Sequence, residues 1–303
     1  MLKDRYGRVL NSLRVQLNAS CNFNCFFCHR EGVGQSREEP SIEELEKIAR
    51  VASKYGISKV KLTGGEPMLR NDIVEIVKMF KRYMQEVSMT TNGTGLPRLA
   101  KELKKAGLDR VNISLHALKG DLFKQITGVN FLDNVVDAID AAREAGLPLK
   151  IDFVVLKGIN VDQIPAMIEF AASKNATLQL IEYETDREGE KSYDYIKYHQ
   201  DLEPIEKEIA NRAISVERNE LHNRPRYTVS TSKGLAKVEF VMPMRNPDFC
   251  MHCTRLRVTA DGSFKTCLWK EAHISFKDAD EEKLGALLEQ ASLEREPYWK
   301  EQI

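Results

Sequence analysis

The chain has 303 residues, enough for one large domain or two ordinary ones. Acidic and basic residues balance at 45 each, and 42% of residues are hydrophobic, as in a globular protein with a sizeable core. The balanced charge excludes nucleic acid and a membrane surface as expected partners. No apolar run approaches the roughly eighteen residues of a transmembrane helix, and the start Met1-Leu2-Lys3-Asp4-Arg5 is too polar for a signal peptide. The six cysteines form two triplets, 21/25/28 and 250/253/267. Clustered so, in a chain with no export signal, they indicate metal ligation in a reducing cytoplasm rather than disulfides.

Strand and helix patterns alternate up to about residue 184. Strands are predicted over 13–18, 59–63, 87–91, 110–115, 149–156 and 178–183. Between them, Ser41 with Glu44 forms a capping box, and helices are predicted over 72–84, 96–106, 131–145 and 162–173. Gly56, Gly107 and Gly146 stand where helices should end. Repeated β-α units imply a parallel sheet, either doubly wound or an incomplete barrel.

Side-chain parity separates the two. Parallel strands covered on both faces read as continuous apolar runs. Here one face of each strand is polar: Arg14, Gln16 and Asn18 on the first, Lys59, Lys61 and Thr63 on the second, Ser88 and Thr90 on the third. Asn112, Ser114 and His116 follow on the fourth, Lys150 and Asp152 on the fifth, and Gln179 on the sixth. Such a face cannot be a dry core. The expected fold is therefore α/β, an incomplete (β/α)6 barrel with a polar lumen. Arg14, Lys59, Lys61 and Lys150 make that lumen suited to an anion such as phosphate.

Loops after the strands should carry the chemistry, as in complete barrels. The first holds Cys21-Asn22-Phe23-Asn24-Cys25-Phe26-Phe27-Cys28. Three thiolates can hold three irons of a [4Fe–4S] cluster and leave the fourth open; a zinc site usually takes four ligands in C-x₂-C pairs. The second loop is Thr63-Gly64-Gly65-Glu66-Pro67, with glycines that admit close backbone approach and a carboxylate for an ammonium group. Thr90 to Gly93 and Ser114 to His116 end the next two strands as rim residues. His116 reads equally well as structural, and His29 as a residue at the solvent edge.

Past residue 184 the composition changes. Residues 185–194 read as a charged linker or lid, 204–212 as a short helix, and 227–230 with 237–241 as a hairpin about Ser232-Lys233-Gly234. Cys250-Met251-His252-Cys253-Thr254-Arg255-Leu256-Arg257 follows, then a turn at Asp261-Gly262 and Cys267. This triplet fits a second cluster, or zinc with His252 or an outside residue as fourth ligand. A final helix is expected over 280–291, covering the barrel. The expected division is 1–184 for the barrel and 185–303 for an α+β extension carrying a second iron–sulfur cluster.

The C-x₃-C-x₂-C spacing, aromatic Phe27 before its third cysteine, and Gly64-Gly65-Glu66 after the second strand resemble the radical S-adenosylmethionine (SAM) superfamily. Asp4-x-x-Gly7-Arg8 leading to Leu13-Arg14, and C-x₂-C-T-R-L-R with its later cysteine, narrow the resemblance to the GTP 3′,8-cyclase family of molybdenum cofactor biosynthesis. It implies two [4Fe–4S] clusters, SAM cleavage to a 5′-deoxyadenosyl radical, and abstraction of the ribose 3′ hydrogen of GTP to give 3′,8-cyclo-7,8-dihydro-GTP.

Carried onto this chain, Cys21, Cys25 and Cys28 hold the cluster that cleaves SAM, and Cys250, Cys253 and Cys267 hold the second. Phe27, Gly64, Gly65, Glu66 and Ser114 meet SAM; Arg14, Lys61, Thr90, Lys150, Arg255, Leu256 and Arg257 meet GTP. The resemblance also implies a reductant such as flavodoxin or ferredoxin, and cyclic pyranopterin monophosphate synthase as the enzyme that takes the product.

The chain departs from the family pattern at four places. Gln179 stands where a sixth-strand arginine is frequent, Glu184 where methionine is, Lys61 where arginine is, and the sequence ends Glu301-Gln302-Ile303 rather than Gly-Gly. Two other readings stay open: a radical SAM enzyme acting on a peptide or other small molecule, and a non-catalytic metal or nucleotide-binding protein. The first typically has more C-terminal cysteines; the second leaves the glycine-glycine-glutamate loop and the polar lumen without a use.

Overall fold

In the computed structural model, residues 1–32, 39–219 and 221–300 are described. Six strands, β1 (Ser12–Gln16), β2 (Lys59–Thr63), β3 (Glu86–Thr91), β4 (Arg110–Ser114), β5 (Leu149–Val155) and β6 (Thr177–Glu182), lie in parallel. They run in sequence order across the sheet. A doubly wound sheet reverses its order at a switch point; this one never does, and it curves as an incomplete barrel. The predicted strands match these to within two residues at each end.

Helices α1 (Ile42–Lys54), α2 (Ile73–Lys81), α3 (Leu96–Ala106), α4 (Gly120–Thr127), α5 (Leu132–Glu144) and α6 (Ile164–Ser173) follow the strands. Both halves of the Ser41–Glu44 capping box form at the start of α1. At the end of α3, Gly107 takes φ +105°, a conformation open to glycine. Leu13 and Val15 of β1, Val60 and Leu62 of β2, and Ile151 and Phe153 of β5 are buried in the hydrophobic core, as the apolar parity requires. Helix α4 lies outside the predicted helices; Leu122, Phe123 and Ile126 pack one face of it into that core.

The later residues complete the same sheet, which the sequence did not disclose. Strands β7 (Ala213–Arg218), β8 (Pro225–Thr231) and β9 (Gly234–Val241) form an antiparallel meander, and β9 pairs in parallel with β6. Strands β10 (Arg255–Val258), β11 (Ser263–Lys265) and β12 (His273–Ser275) extend the opposite edge, where β10 pairs in parallel with β1. All twelve strands form one sheet.

Three short helices lie between these strands: α7 (Tyr193–Tyr198), α8 (Glu203–Asn211) and α9 (Pro247–Met251). Residues 189–191 form a short turn of helix inside the stretch expected to be irregular. Helix α10 (Glu281–Leu293) lies against α1, with Arg50 and Lys54 reaching Glu281. It covers the outer layer of the barrel. Among the described residues no helix is long and apolar enough to cross a membrane.

Candidate active site

The loop after β1 carries the first cysteine triplet, and α4 holds it. The main-chain N–H groups of Asn24 and Phe26 donate to the carbonyls of Thr127 and Ile126, at 2.9 and 3.3 Å, in the last turn of that helix. These carbonyls lack partners within the helix, so the loop satisfies them. Main-chain N–H groups of Phe23 and Arg30 point to the sulfurs of Cys21 and Cys28, each at 3.4 Å. Burial pushes the Cys25 thiol up to about 12, with Cys28 and Cys21 adding to the rise. Three thiols near one another, with N–H donors on two sulfurs, fit an iron–sulfur cluster, because the cluster supplies the positive charge that favours thiolates.

Gly64 and Gly65 press this loop's start against the loop after β2. A Cβ on Gly64 would collide with Asn18, and one on Gly65 with the Ser20 carbonyl. The Gly65 and Glu66 N–H groups donate to the carbonyls of Asn18 and Ser20, at 2.9 and 2.7 Å. The close approach expected of these glycines is therefore within the protein, Gly64 against the side chain and backbone of Asn18 and Gly65 against the backbone of Ser20. Glu66 does not offer the free carboxylate expected for an ammonium ion. Its oxygens accept from Met68 N, Thr91 Oγ1 and Asn92 N at 2.6–2.9 Å. Burial outweighs those bonds and raises its carboxyl to about 7.

Inside the barrel lies a cavity of about 990 Å³, and all six cysteines line it. So do Phe27, Gly64, Gly65, Glu66 and Ser114, and the substrate candidates Arg14, Lys61, Thr90, Lys150, Arg255 and Arg257. Leu256 does not: its side chain is fully buried in the hydrophobic core, since alternation on β10 turns it away from its two arginine neighbours. Register sets Arg257 beside Arg14, and Arg14 beside Lys61, across three adjacent strands. Like charges in register repel, so this row needs anions.

The protein supplies part of that charge, which parity did not reveal. Buried Glu31 accepts from Arg14 Nε and Nη2 (2.9 and 2.6 Å), from Thr63 Oγ1 (2.8 Å), and from Arg257. Burial favours a neutral carboxyl, but the two guanidinium groups hold Glu31 far below the usual range. Deeper, Lys61 Nζ donates to Asn112 Oδ1, and Asn112 Nδ2 donates to Asp152 and Gln179. Gln179 and Lys150 in turn donate to Glu239 Oε2, at 3.1 and 2.6 Å, and Arg226 donates to Oε1. Burial lowers Lys150 to about 8 despite Glu239. Glu239 has several cations around it; they overcome its burial and hold it at about 2.

Among the described residues, no carboxylate forms an ion pair with Arg255. Burial, with Arg14, Arg224 and Arg257 nearby, lowers it to about 9. Burial and the charges of Arg110 and Arg14 drive Lys61 well below its ordinary value. Cations held this way gain most from an anionic ligand.

The second triplet sits where β10 joins β1. Cys250 is on α9, Cys253 just before β10, and Cys267 just after β11. Two arginines from distant parts of the chain hold its backbone. Arg8, fixed to Asp4 at 2.8 Å, donates to the Cys250 carbonyl, and fully buried Arg295 donates to that of Cys253. This gives the Asp4-x-x-Gly7-Arg8 motif a physical use. His252 Nδ1 lies 2.9 Å from the Asp248 carbonyl, bonded within its own turn. Among the described residues no three His, Cys, Asp or Glu side chains converge as ligands of one ion do. Thiols ligating separate irons of a cluster need not converge, so the donor set fits that group.

His116 is structural: Nδ1 accepts from Val154 N at 3.1 Å, its ring meets Phe27 edge-on, and burial lowers it to about 3. His29 lies 3.7 Å from Glu184 and edge-on to Trp269.

A family model of the radical SAM superfamily matches residues 15–171, and the model "Molybdenum Cofactor Synthesis C" matches 176–301. A "Probable GTP 3′,8-cyclase" of Thermoplasma volcanium is 60% identical over 99% of this chain and 93% of its own length. The chain belongs to the GTP 3′,8-cyclase family. A relative of the same name from Thermococcus kodakarensis is 47% identical over 99% of this chain and all of its own length. The solved structure of Streptococcus suis SuiB bound to S-adenosylmethionine shares the fold, with a TM-score of 0.66 at 18% identity. It matches over 90% of this chain, which spans 65% of SuiB. As a radical SAM protein of this family, the chain uses SAM and an iron–sulfur cluster. Against the GTP 3′,8-cyclase pattern, Gln179 is tied into the Asn112–Glu239 network, and Glu184 lines the cavity next to His29. The tail, 301–303, lies outside the described residues.

Proposed function

We propose that this chain is a radical SAM GTP 3′,8-cyclase, a lyase that converts GTP to 3′,8-cyclo-7,8-dihydro-GTP in molybdenum cofactor biosynthesis. The observation that carries this reading is one cavity lined by both cysteine triplets, with a row of in-register cations between them. When bound, the first cluster and SAM supply the 5′-deoxyadenosyl radical that takes the ribose 3′ hydrogen. Cys21, Cys25 and Cys28 hold that cluster. The main chain at Phe27, Gly64 and Gly65, with Ser114, positions SAM beside it; Glu66 acts indirectly, by bracing the loop.

Arg14, Lys61, Thr90 and Lys150 bind GTP from the sheet, and Arg255 and Arg257 bind it near the second triplet. Leu256 contributes its main chain. Cys250, Cys253 and Cys267 hold a second [4Fe–4S] cluster. Fixed cations neutralise the triphosphate without reorganising, and the walled cavity keeps solvent from the reacting carbons. Residues 1–184 serve SAM, while 185–303 complete the substrate site. Flavodoxin or ferredoxin supplies the electron, cyclic pyranopterin monophosphate synthase takes the product, and the cytoplasm is the setting.

The test is 5′-deoxyadenosine release from anaerobically reconstituted protein with SAM and dithionite, with and without GTP. Release stimulated by GTP, with a cyclised nucleotide, is expected. Release indifferent to GTP rejects the substrate, and no release from iron-loaded protein rejects the enzyme.

A further inference from the structure

Among the described residues, Asn219 Nδ2, His222 Nδ1 and Arg224 Nε are buried polar atoms without a hydrogen-bond partner, and all three residues line the cavity. They lie close together in the chain, just before and at the approach to β8. His222 is pinned there: its backbone takes φ +63°, its ring stacks on Phe249 at 3.7 Å, and its main-chain N–H donates to the His252 carbonyl. A buried polar atom normally has a partner, so three unpaired together mark a surface shaped for a ligand.

Arg224 carries the charge of this group. Glu239, the one carboxylate among the described residues that comes within 4.0 Å of it, already accepts from Lys150 at 2.6 Å, Arg226 at 2.6 Å and Gln179 at 3.1 Å. Arg224 stands 4.0 Å off as a surplus cation. Register places Gln179 of β6 beside Glu239 of β9, so the carboxylate that Arg224 approaches also takes a neutral amide from the sixth strand.

Resting on the GTP reading above, we propose that Arg224 binds the polyphosphate of the nucleotide and supplies the cation that the sixth strand lacks. Its guanidinium has spare donors in a planar fork, the geometry that pairs with phosphate oxygens. Lys150 and Arg226 remain on Glu239 when Arg224 is changed, so the buried carboxylate keeps its partners.

The test is equilibrium binding of GTP, GDP, GMP and guanosine to the anaerobic, iron-loaded protein and to its Arg224→Gln and Arg224→Lys variants. Iron content and SAM binding are measured alongside. For Arg224→Gln the expected loss is about tenfold or more for GTP, the scale of one charge-assisted bond. It should shrink through GDP and GMP and vanish for guanosine, and Arg224→Lys should recover part of it. Equal losses for GTP and guanosine, or no loss, overturn the assignment and leave the GTP reading intact. Wild-type protein that binds none of the four overturns both. If the glutamine variant loses iron, the lysine variant decides: a loss graded by phosphate number supports the proposal, and an ungraded one overturns it.

Discussion

Replacing Glu31 by glutamine tests whether the lumen is built around excess positive charge. Glu31 is the shared acceptor of Arg14 and Arg257, which register sets side by side with Lys61 next to them. Removing one partner of a buried ion pair costs about 3–5 kcal/mol, because the other charge is left uncompensated. Glutamine keeps an acceptor oxygen and the shape, so the lower end applies, about 3 kcal/mol. Unfolding entropy of about 2.1 cal/mol/K per residue over 303 residues converts this to a fall of roughly 5 °C in Tm. An anion in the lumen should replace part of the missing charge. Saturating GTP should therefore raise the Tm of Glu31→Gln more than that of the wild type. The assay is anaerobic thermal unfolding of both proteins with and without GTP. A variant as stable as the wild type, or one that gains no more from GTP, would refute the reasoning.

Lys150→Met should weaken GTP binding at least about tenfold, the worth of one charge-assisted hydrogen bond, and leave the iron content unchanged; iron loss would assign Lys150 to the fold instead. Serine at Cys250, Cys253 and Cys267 together should remove about half the iron, since each triplet is assigned a cluster of the same type; loss of zinc with full iron would remove the second cluster from the account. Arg295→Met frees the Cys253 carbonyl and should lower iron content in a background carrying only the second triplet while leaving it unchanged in one carrying only the first; equal losses would refute the assignment. Glu239 is held at about 2, below its ordinary 4.5. Its stabilisation is therefore full above pH 4.5 and fades as pH falls toward 2. Glu239→Gln should flatten the urea stability profile in that window, and an unchanged slope would refute the charge assignment.

The strand order and the polar lumen were legible because alternation reports which face a side chain takes, and every strand repeated the signal. Both cysteine loops were legible from spacing. Glu31 was not, since it lies in an irregular turn at φ +56° where no periodicity aims a side chain. Arg255-Leu256-Arg257-Val258 alternates as a strand does, but four residues beside a cysteine loop are too short a run to disclose β10 and its pairing with β1. The same alternation explains why Leu256 faces the core. Asn219, His222 and Arg224 sit at the approach to a strand, where only the folded chain shows what they face. Glu66 looked like a ligand because its motif suggested one; three local donors take its oxygens, a detail of loop geometry that spacing does not encode.

The parallel joins at both edges of the barrel also set an order of biogenesis. The first cysteine loop and the α4 carbonyls that hold it come from the early part of the chain. The second triplet depends on β10 finding β1 and on Arg8 reaching Cys250, contacts that span about 240 residues, and on Arg295, near the end of the chain, reaching Cys253. Such long-range closures form late and slowly. On the ribosome, the iron site at one mouth can therefore be assembled while the other does not yet exist. Until β9 and β10 arrive, β1 and β6 are open strand edges, prone to pairing with other chains. A truncation that removes the C-terminal strands therefore exposes both edges at once, and aggregation is its expected first failure.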